Sequence, residues 1–422
     1  MLKAARLGKT DFRGLTGIIN PMSVLQGKHI MLGVTGSIAA YKAAELASRL
    51  AQAGAQVDVV LTEAAEKFIT PLTFQSVTGR RTFTDHDLWG GEAHVLHVGL
   101  AHSAGLLVVA PCTANTIAKM AHGFAGDLLS VTLLAASCPV LIAPAMDGGM
   151  FEAPVTQRNL ASLRERGVFI AGPAQGHLAS GLVGTGRMLE PSELLGHIRR
   201  VLGMQGRLSG RTVLVTAGGT QEPLDPVRFL TNRSSGKQGY ALAQAAVDLG
   251  AEVVLISTPT ALTPPVGARL VPVQTALQMC DAVMAEVTGA DALVMAAAVA
   301  DFRPRDVAAD KLKKRDGIPR LELEPAPDIL RTVATSPGRP RVVAGFAAES
   351  RDLLENAGEK LKAKGLDLIA ANDISAEGAG FAGETNRITL LFSNGQRQDL
   401  PLMDKSEAAG IIMEHIAALL EG

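Results

Sequence analysis

The chain is short of the features that mark several protein classes. Three cysteines, Cys112, Cys138 and Cys280, are scattered over 422 residues. They form no disulfide framework and suit a reducing compartment such as the cytoplasm. Opposite charges nearly cancel, to a net −1, so the basic footprint expected of a nucleic-acid binder is missing. Apolar runs never reach membrane-spanning length. The first twenty-odd residues carry basic side chains without the apolar centre of a signal peptide, and Met22 can serve as a start as well as Met1. No GxGxxG follows the first strand of either half, and no GxxxxGK[ST] does so, which removes the two best-known phosphate loops.

What is present is concentrated between Thr216 and Gly239, TAGGTQEPLDPVRFLTNRSSGKQG. An apolar β-branched run, Arg211-Thr-Val-Leu-Val215, precedes it, and Tyr240 to Gly250 follows with helical spacing and a terminal glycine. Strand, glycine turn, long polar loop and helix make an anion cradle. Backbone N–H groups at Gly218, Gly219, Ser234, Ser235 and Gly236 can face phosphate oxygens at a helix N-terminus, with Lys237 and Arg228 as cationic donors. The blander reading is a tight turn with a solvated loop, but a polar loop of this length inside an α/β domain is more often functional.

The chain opens the same way twice. Lys28 to Ser37 runs as a strand into a glycine turn, and Ile38 to Ala53 is an alanine-rich helix closed by Gly54. Between the two openings, Gly203 to Gly210 is glycine-rich and aperiodic, as a linker is. The expected division is an N-terminal extension without order over 1–26, a first domain over 27–203, a linker over 204–209 and a second domain over 210–422. Short apolar runs at 55–61, 105–110 and 140–143, then at 251–257, 292–295, 342–345 and 366–370, predict parallel strands covered on both faces. Both halves therefore read as doubly wound α/β, with a hairpin turning at Ser393 to Gly395 before a final helix near Lys405 to Leu420. Ligands in such sheets lie beyond the carboxyl ends of the strands, which nominates the residues after each run.

Several of those residues carry a resemblance. Gly36-Ser-Ile-Ala-Ala-Tyr-Lys42, Leu61-Thr-Glu-Ala-Ala65, His97, Pro111-Cys-Thr-Ala-Asn-Thr116 and Pro144-Ala-Met-Asp-Gly-Gly-Met150 resemble the decarboxylase half of the bifunctional coenzyme A biosynthesis family. The cradle, Ala296-Ala-Ala-Val-Ala-Asp301, Lys311-Leu-Lys-Lys314, Gly345-Phe-Ala-Ala-Glu349 and Ala371-Asn-Asp373 resemble its ligase half. The resemblance runs from about Lys28 to the C-terminus. It implies a flavodoxin-like FMN domain followed by a Rossmann-like CTP domain. Cysteine would be ligated to 4'-phosphopantothenate through an acyl-cytidylate. FMN-dependent decarboxylation of phosphopantothenoylcysteine to 4'-phosphopantetheine would follow, by oxidation of the thiol to a thioaldehyde and reduction of the enethiolate left after carbon dioxide departs.

By the same resemblance Gly36, Ser37, Thr62, Thr113 and Asn115 would contact FMN, His97 would be catalytic, and Met146 and position 147 would hold substrate. On the ligase side, Lys311 would serve the step that forms the acyl-cytidylate, and Asn232 and Arg228 would act on the acyl-cytidylate. Met295, Ala296, Ala297, Asp301, Lys311, Pro327, Asp328, Ile329, Leu330, Phe346, Lys360 and Lys364 would surround CTP, with Mg²⁺ carried mainly by its phosphates. A homo-oligomer is implied, with trimeric FMN domains and dimeric ligase domains. His94, His97 and His102 also invite a metal-site reading, but no acidic or thiolate ligand completes it, and surface positions are expected for His94 and His102.

Three positions depart from the family pattern. Asp147 stands in place of an asparagine expected to hold the substrate carboxylate, and two like charges at ~4 Å repel by about 4 kcal/mol at an effective dielectric near 20. Gly126 replaces a polar residue. Ser180 replaces a cysteine expected to protonate the enethiolate, and an alcohol is the weaker acid. Two readings stay open: another donor, such as a water or His177, serves the decarboxylase, or the first domain binds FMN beside an active ligase without turning over. Outside this resemblance the residues leave a nucleotide-dependent oxidoreductase or a flavin-binding regulatory protein.

Overall fold

Each half of the chain builds a parallel sheet around the strand that opens it. The computed structural model describes residues 23–89, 95–314, 317–349, 352–373 and 383–422. The expectation for residues 1–22, and that for His94, lie outside them. The first sheet contains β1 (His29–Val34), β2 (Gln56–Leu61), β3 (Thr82–Thr84), β4 (Leu106–Cys112), β5 (Val140–Pro144) and β6 (Phe169–Ile170) in the order β3-β2-β1-β4-β5-β6, all parallel. Without the short edge strand β3 this is the flavodoxin order, with its switch point between β1 and β4. Ile30, Leu32 and Val34 enter the core on one face, and Met31 enters the core on the other. Burial on both faces is why the strand reads as an unbroken apolar run. A separate hairpin, β7 (Ala174–His177) and β8 (Val183–Arg187), stands off the sheet and carries Ser180 between its strands.

The second sheet is built from β9 (Thr212–Ala217), β12 (Glu252–Ser257), β13 (Ala268–Pro272), β14 (Ala292–Met295), β17 (Val342–Glu349), β18 (Leu368–Asp373), β20 (Ile388–Phe392) and β21 (Arg397–Asp399). Their order is β13-β12-β9-β14-β17-β18-β20-β21. It is parallel through β18 and antiparallel beyond, so its parallel part has the Rossmann order. Three two-stranded ribbons complete it: β10 (Gln221–Pro223) with β11 (Phe229–Thr231), β15 (Phe302–Pro304) with β16 (Leu323–Pro325), and β19 (Thr385–Asn386) with β22 (Met403–Asp404). The helix at Lys405–Glu421 buries Ile412, Met413 and Ile416 against this sheet.

Four expectations need correction. The polar loop after β9 is not loop throughout, because β10 and β11 fold it back as an antiparallel ribbon. The strand expected at 366–370 begins at Leu368 and continues to Asp373. Order begins before residue 27, since Leu25 is buried in the first core. The segment 204–209 is a packed connector, not a slack linker. Leu208 is fully buried in the second core, and its N–H donates to the Leu249 carbonyl at 2.8 Å. Arg207 pairs with Glu414 at 2.6 Å and with Glu421. A Cβ on Gly206 would sit 2.4 Å from the Leu249 carbonyl oxygen, so this glycine permits close packing. Among the described residues no helix is long and apolar enough to cross a membrane.

Candidate active sites

At the carboxyl end of the first sheet, four strand exits converge. Thr35, buried after β1, donates its hydroxyl to the Pro111 carbonyl at 2.8 Å and accepts the Thr113 N–H at 3.1 Å. One side chain thus ties the β1 turn to the β4 exit across the switch point. Thr62 and Thr113 each cap the helix that follows their strand, accepting from Ala65 N at 3.3 Å and Thr116 N at 3.4 Å. Asn115 is exposed in the first turn after Thr113. A Cβ on Gly36 would lie 2.5 Å from the Ala64 Cβ, so only glycine lets the turn lie that close. The backbone N–H groups of Gly36 and Ser37 have no acceptor among the described residues, which leaves donors at the mouth of the helix Ala40–Gln52. His97, half-buried on the helix Leu96–Ser103, has a buried Nδ1 with no partner among the described residues. Unpaired buried nitrogens are costly, which makes this one a candidate contact for a bound group.

Asp147 and Ser180, both departures in sequence, meet in space. The Ser180 hydroxyl donates to Asp147 Oδ2 at 2.6 Å, and the Gly149 N–H reaches Oδ1 at 3.1 Å. Asp147 is the N-cap of the helix Gly148–Glu152. The Ser180 hydrogen bond, followed by that of Gly149, holds its carboxyl below the usual carboxylate range. Its charge is therefore compensated from two sides, which softens the repulsion expected for an isolated carboxylate. Met146 precedes it half-buried, its N–H bonded to the Gly186 carbonyl of β8 at 3.0 Å. Gly126 is in open space, where an added Cβ would meet nothing within 4 Å.

The second sheet carries a cavity of about 840 Å³ at its carboxyl end. Asn232, Met295, Ala296, Ala297, Asp301, Pro327, Asp328, Ile329, Leu330, Phe346, Lys360 and Lys364 all line it, beside Ser234, Ser235, Gly236 and Lys237 at the head of the helix Lys237–Asp248. Gly236 takes φ +76° as the N-cap of that helix, a conformation that favours glycine. The loop after β14 is pinned from below: buried Thr216 accepts the Ala297 N–H at 3.1 Å, and buried Thr220 accepts that of Ala300 at 2.9 Å. Asn232 donates to the Val299 carbonyl at 3.1 Å. Lys360 donates to the Phe346 carbonyl at 2.9 Å, and Lys364 pairs with Asp328. Burial pushes the Asp328 carboxyl up, but Lys364 and the Arg331 N–H outweigh it and bring it below the ordinary value.

Arg228 and Lys311 do not line this cavity. Arg228 does not present a free fork to an anion within this chain: its Nε donates to Asp225 at 2.9 Å and its Nη2 to the Leu312 carbonyl. Asp225 also accepts the N–H groups of Val227, Arg228 and Leu312 at 2.8, 2.8 and 3.1 Å. Burial raises its pKa, but these donors together with the Arg228 guanidinium bring it to about 2. Arg228 and Asp225 therefore clamp the segment that presents Lys311, which is exposed. Sequence reasoning gave no individual role to Gln238, Asn372, Asn386 or Lys405, all of which line the cavity, although Gln238 and Asn372 fall within segments it singled out. A lysine in the first turn of the last helix, against the helix dipole, was the one local signal for Lys405.

Residues 19–203 match the family described as flavoprotein, and residues 208–420 match the family described as DNA/pantothenate metabolism flavoprotein C-terminal domain. Fold and matches together define a two-domain flavoprotein of pantothenate metabolism. The coenzyme A biosynthesis bifunctional protein CoaBC of Bacillus subtilis is 44% identical over 399 residues, covering 94% of this chain and 98% of that protein. Its Vibrio cholerae counterpart is 47% identical over 397 residues, covering 94% and 99%. A solved C-terminal domain of a CoaBC protein is 40% identical and covers 51% of this chain and 98% of that one, with a TM-score of 0.44. The FMN-dependent cysteine decarboxylase SpaF is 34% identical and covers 42% and 97%, with a TM-score of 0.37. The chain belongs to the bifunctional coenzyme A biosynthesis family, enzymes that unite a decarboxylase and a ligase in one polypeptide.

Proposed function

We propose that the second-domain cavity ligates cysteine to 4'-phosphopantothenate at the expense of CTP, and that the first-domain site binds FMN and decarboxylates the product to 4'-phosphopantetheine. The observation that carries the ligase reading is the gathering of four lysines, Lys237, Lys360, Lys364 and Lys405, with a helix N-terminus around one cavity. Such a site stabilises a triphosphate and the charge that develops when a carboxylate attacks the α-phosphate. Met295 to Ala297, Asp301, Pro327 to Leu330 and Phe346 would enclose the nucleoside, and Asn232 would orient the acyl-cytidylate. Lys311 would supply charge to the same step from its clamped segment. Among the described residues no three His, Cys, Asp or Glu side chains are grouped to hold a metal, so Mg²⁺ would ride on the phosphates.

In the first domain the unpaired N–H groups of Gly36 and Ser37 suit a flavin phosphate, and the hydroxyls of Thr62 and Thr113 line the strand exits beside it. When bound, FMN supplies the two-electron chemistry that makes carbon dioxide loss possible. His97 would then find a partner for Nδ1, while Met146 and Asp147 would border the substrate. The Asp147–Ser180 contact favours a second reading for this half, a flavin site slowed because neither partner is a good proton donor at neutral pH. We further propose trimeric association through the first domain, dimeric association through the second, and a cytoplasmic location.

Incubation with 4'-phosphopantothenate, cysteine, CTP and Mg²⁺, followed by mass analysis, tests the whole. 4'-Phosphopantetheine is the expected product. Phosphopantothenoylcysteine alone would select the slowed flavin site, and neither product would overturn both assignments.

A further inference from the structure

Behind the glycine turns of the ligase cavity runs a chain of hydroxyls that no step of the proposed reaction uses. Tyr240, 8% exposed, stands in the first turn of the helix Lys237–Asp248. Its hydroxyl donates to Ser257 Oγ at 3.3 Å, and Ser257 donates in turn to the Thr258 carbonyl at 2.9 Å. On its other side Tyr240 accepts the Thr260 hydroxyl at 3.1 Å, and Thr260 Oγ1 accepts the Leu262 N–H at 3.3 Å. Each of the three hydroxyls donates once and accepts once. Every link therefore runs the same way, from the Leu262 N–H to the Thr258 carbonyl, and bonds aligned like this polarise one another. Both ends lie in the loop after β12, so one tyrosine from the neighbouring helix staples residues 258–262 in place.

That loop backs the anion cradle. Thr258 is buried, with its N–H bonded to the Ala217 carbonyl at 3.1 Å where β9 ends. A Cβ added to Gly218 would sit 2.0 Å from Thr258 Oγ1. One added to Gly236 would sit 2.9 Å from Thr260 Cγ2 and 3.5 Å from the Gly218 nitrogen. The two glycine turns thus rest against Thr258 and Thr260, and Gly236 lines the cavity. Leu262, at the far end of the loop, packs against the second core. A cradle already held in shape binds an anion without first being ordered, and the cost avoided appears as affinity. Once the chain is cut, binding has to draw the loop back against the glycines.

We propose that Tyr240 is a positioning residue for the triphosphate of the nucleotide: through Thr260 and Ser257 it fixes the loop on which the turns at Gly218 and Gly236 are set. Tyr240 does not itself line the cavity, so it acts through its neighbours. This rests on the ligase reading above.

Calorimetric titration of the full-length protein with CTP and Mg²⁺ reads the affinity, and steady-state kinetics separates it from the cysteine step. Tyr240→Phe is expected to raise the CTP dissociation constant ~5-fold, about 1 kcal/mol, while kcat at saturating CTP and KM for cysteine stay within about 2-fold. Thr260→Val cuts the same chain at the next link and should match it. Thr260→Ser, which keeps the hydroxyl, should bind CTP more tightly than Thr260→Val. The double variant Tyr240→Phe/Thr260→Val should bind within about 2-fold of either single one, because one chain is cut twice. Unchanged CTP affinity in Tyr240→Phe and Thr260→Val would overturn the proposal, and a lower unfolding midpoint alone would make the chain merely structural. Effects that multiply in the double variant, or equal weakening by Thr260→Ser and Thr260→Val, would also overturn it, since packing and not the hydroxyl chain would then hold the loop. Absence of CTP binding by the parent protein would overturn the ligase reading itself and this inference with it.

Discussion

The two halves share a plan and differ in charge. Both begin with a buried strand and a glycine turn, and both place their candidate site past the strand ends at the switch point between the first strand and its neighbour, β4 or β14. In the first half the exits are lined by threonines whose hydroxyls are occupied by backbone and by one another. Its side-chain chemistry reduces to His97 and the Asp147–Ser180 pair. In the second half the same location is ringed by lysines. Fold places a site, and the residues grafted onto it decide its chemistry. A neutral cradle with backbone donors suits a cofactor that brings its own reactivity, and a cationic one suits phosphate chemistry done by the protein.

The sharpest way to break that contrast is to remove the buried side-chain nitrogen of the first site that has no partner among the described residues. His97→Gln should lower decarboxylation by ~10²–10⁴-fold while ligation continues, measured as accumulation of phosphopantothenoylcysteine. The counterpart in the second half is Lys311→Gln, expected to cost ~10²–10³-fold in cysteine-dependent CMP release with flavin absorbance unchanged. Equal CMP release would remove Lys311 from the mechanism.

The Asp147–Ser180 pair offers a smaller and more discriminating change. Ser180→Cys supplies a thiol near pKa ~8.5, and Asp147→Asn removes the fixed charge. Together they should raise decarboxylation by about 10-fold, and non-additively because the two side chains are in contact. No rise would mean that neither position limits the rate, and a strictly additive rise would mean that the two act independently.

The smallest effect concerns Asp225. Its folded pKa of about 2 lies below the ~3.9 of an unfolded aspartate. The stability it contributes is therefore fully present above pH ~4 and is lost as pH falls toward 2. Asp225→Asn should flatten the pH dependence of the urea midpoint between pH 4 and 2 and weaken ligation by loosening the Lys311 segment. Retention of the parental slope would assign that slope to other carboxylates.

Much of the second site was legible because its residues sit in short loops directly after strands that announce themselves. Runs such as Val213 to Val215 and Leu293 to Met295 are buried on both faces, so every position is apolar and the next polar residue marks an exit. The Arg228 clamp was legible in principle, since Asp225 lies three residues away in a turn containing a proline. It was read as a free donor because its competing acceptor, the Leu312 carbonyl, is 84 residues distant. The connector misled through composition: glycines that signal slack in an unpacked chain signal contact when a neighbouring backbone fills the space of the missing Cβ, as at Gly206.

By itself the sequence determined the two doubly wound domains, the strands that build them, the family and the residues nominated for each candidate site, because burial and turn chemistry are local constraints written into adjacent residues. Tertiary structure alone decided which polar groups meet and which are left without a partner. Ser180 reaches Asp147 across 33 positions, Asn386 is oriented by Gln238 across 148, and the amide oxygens of Asn372 and Asn386 are buried with no donor among the described residues. Pairing of that kind depends on distances in space, which no spacing along the chain encodes.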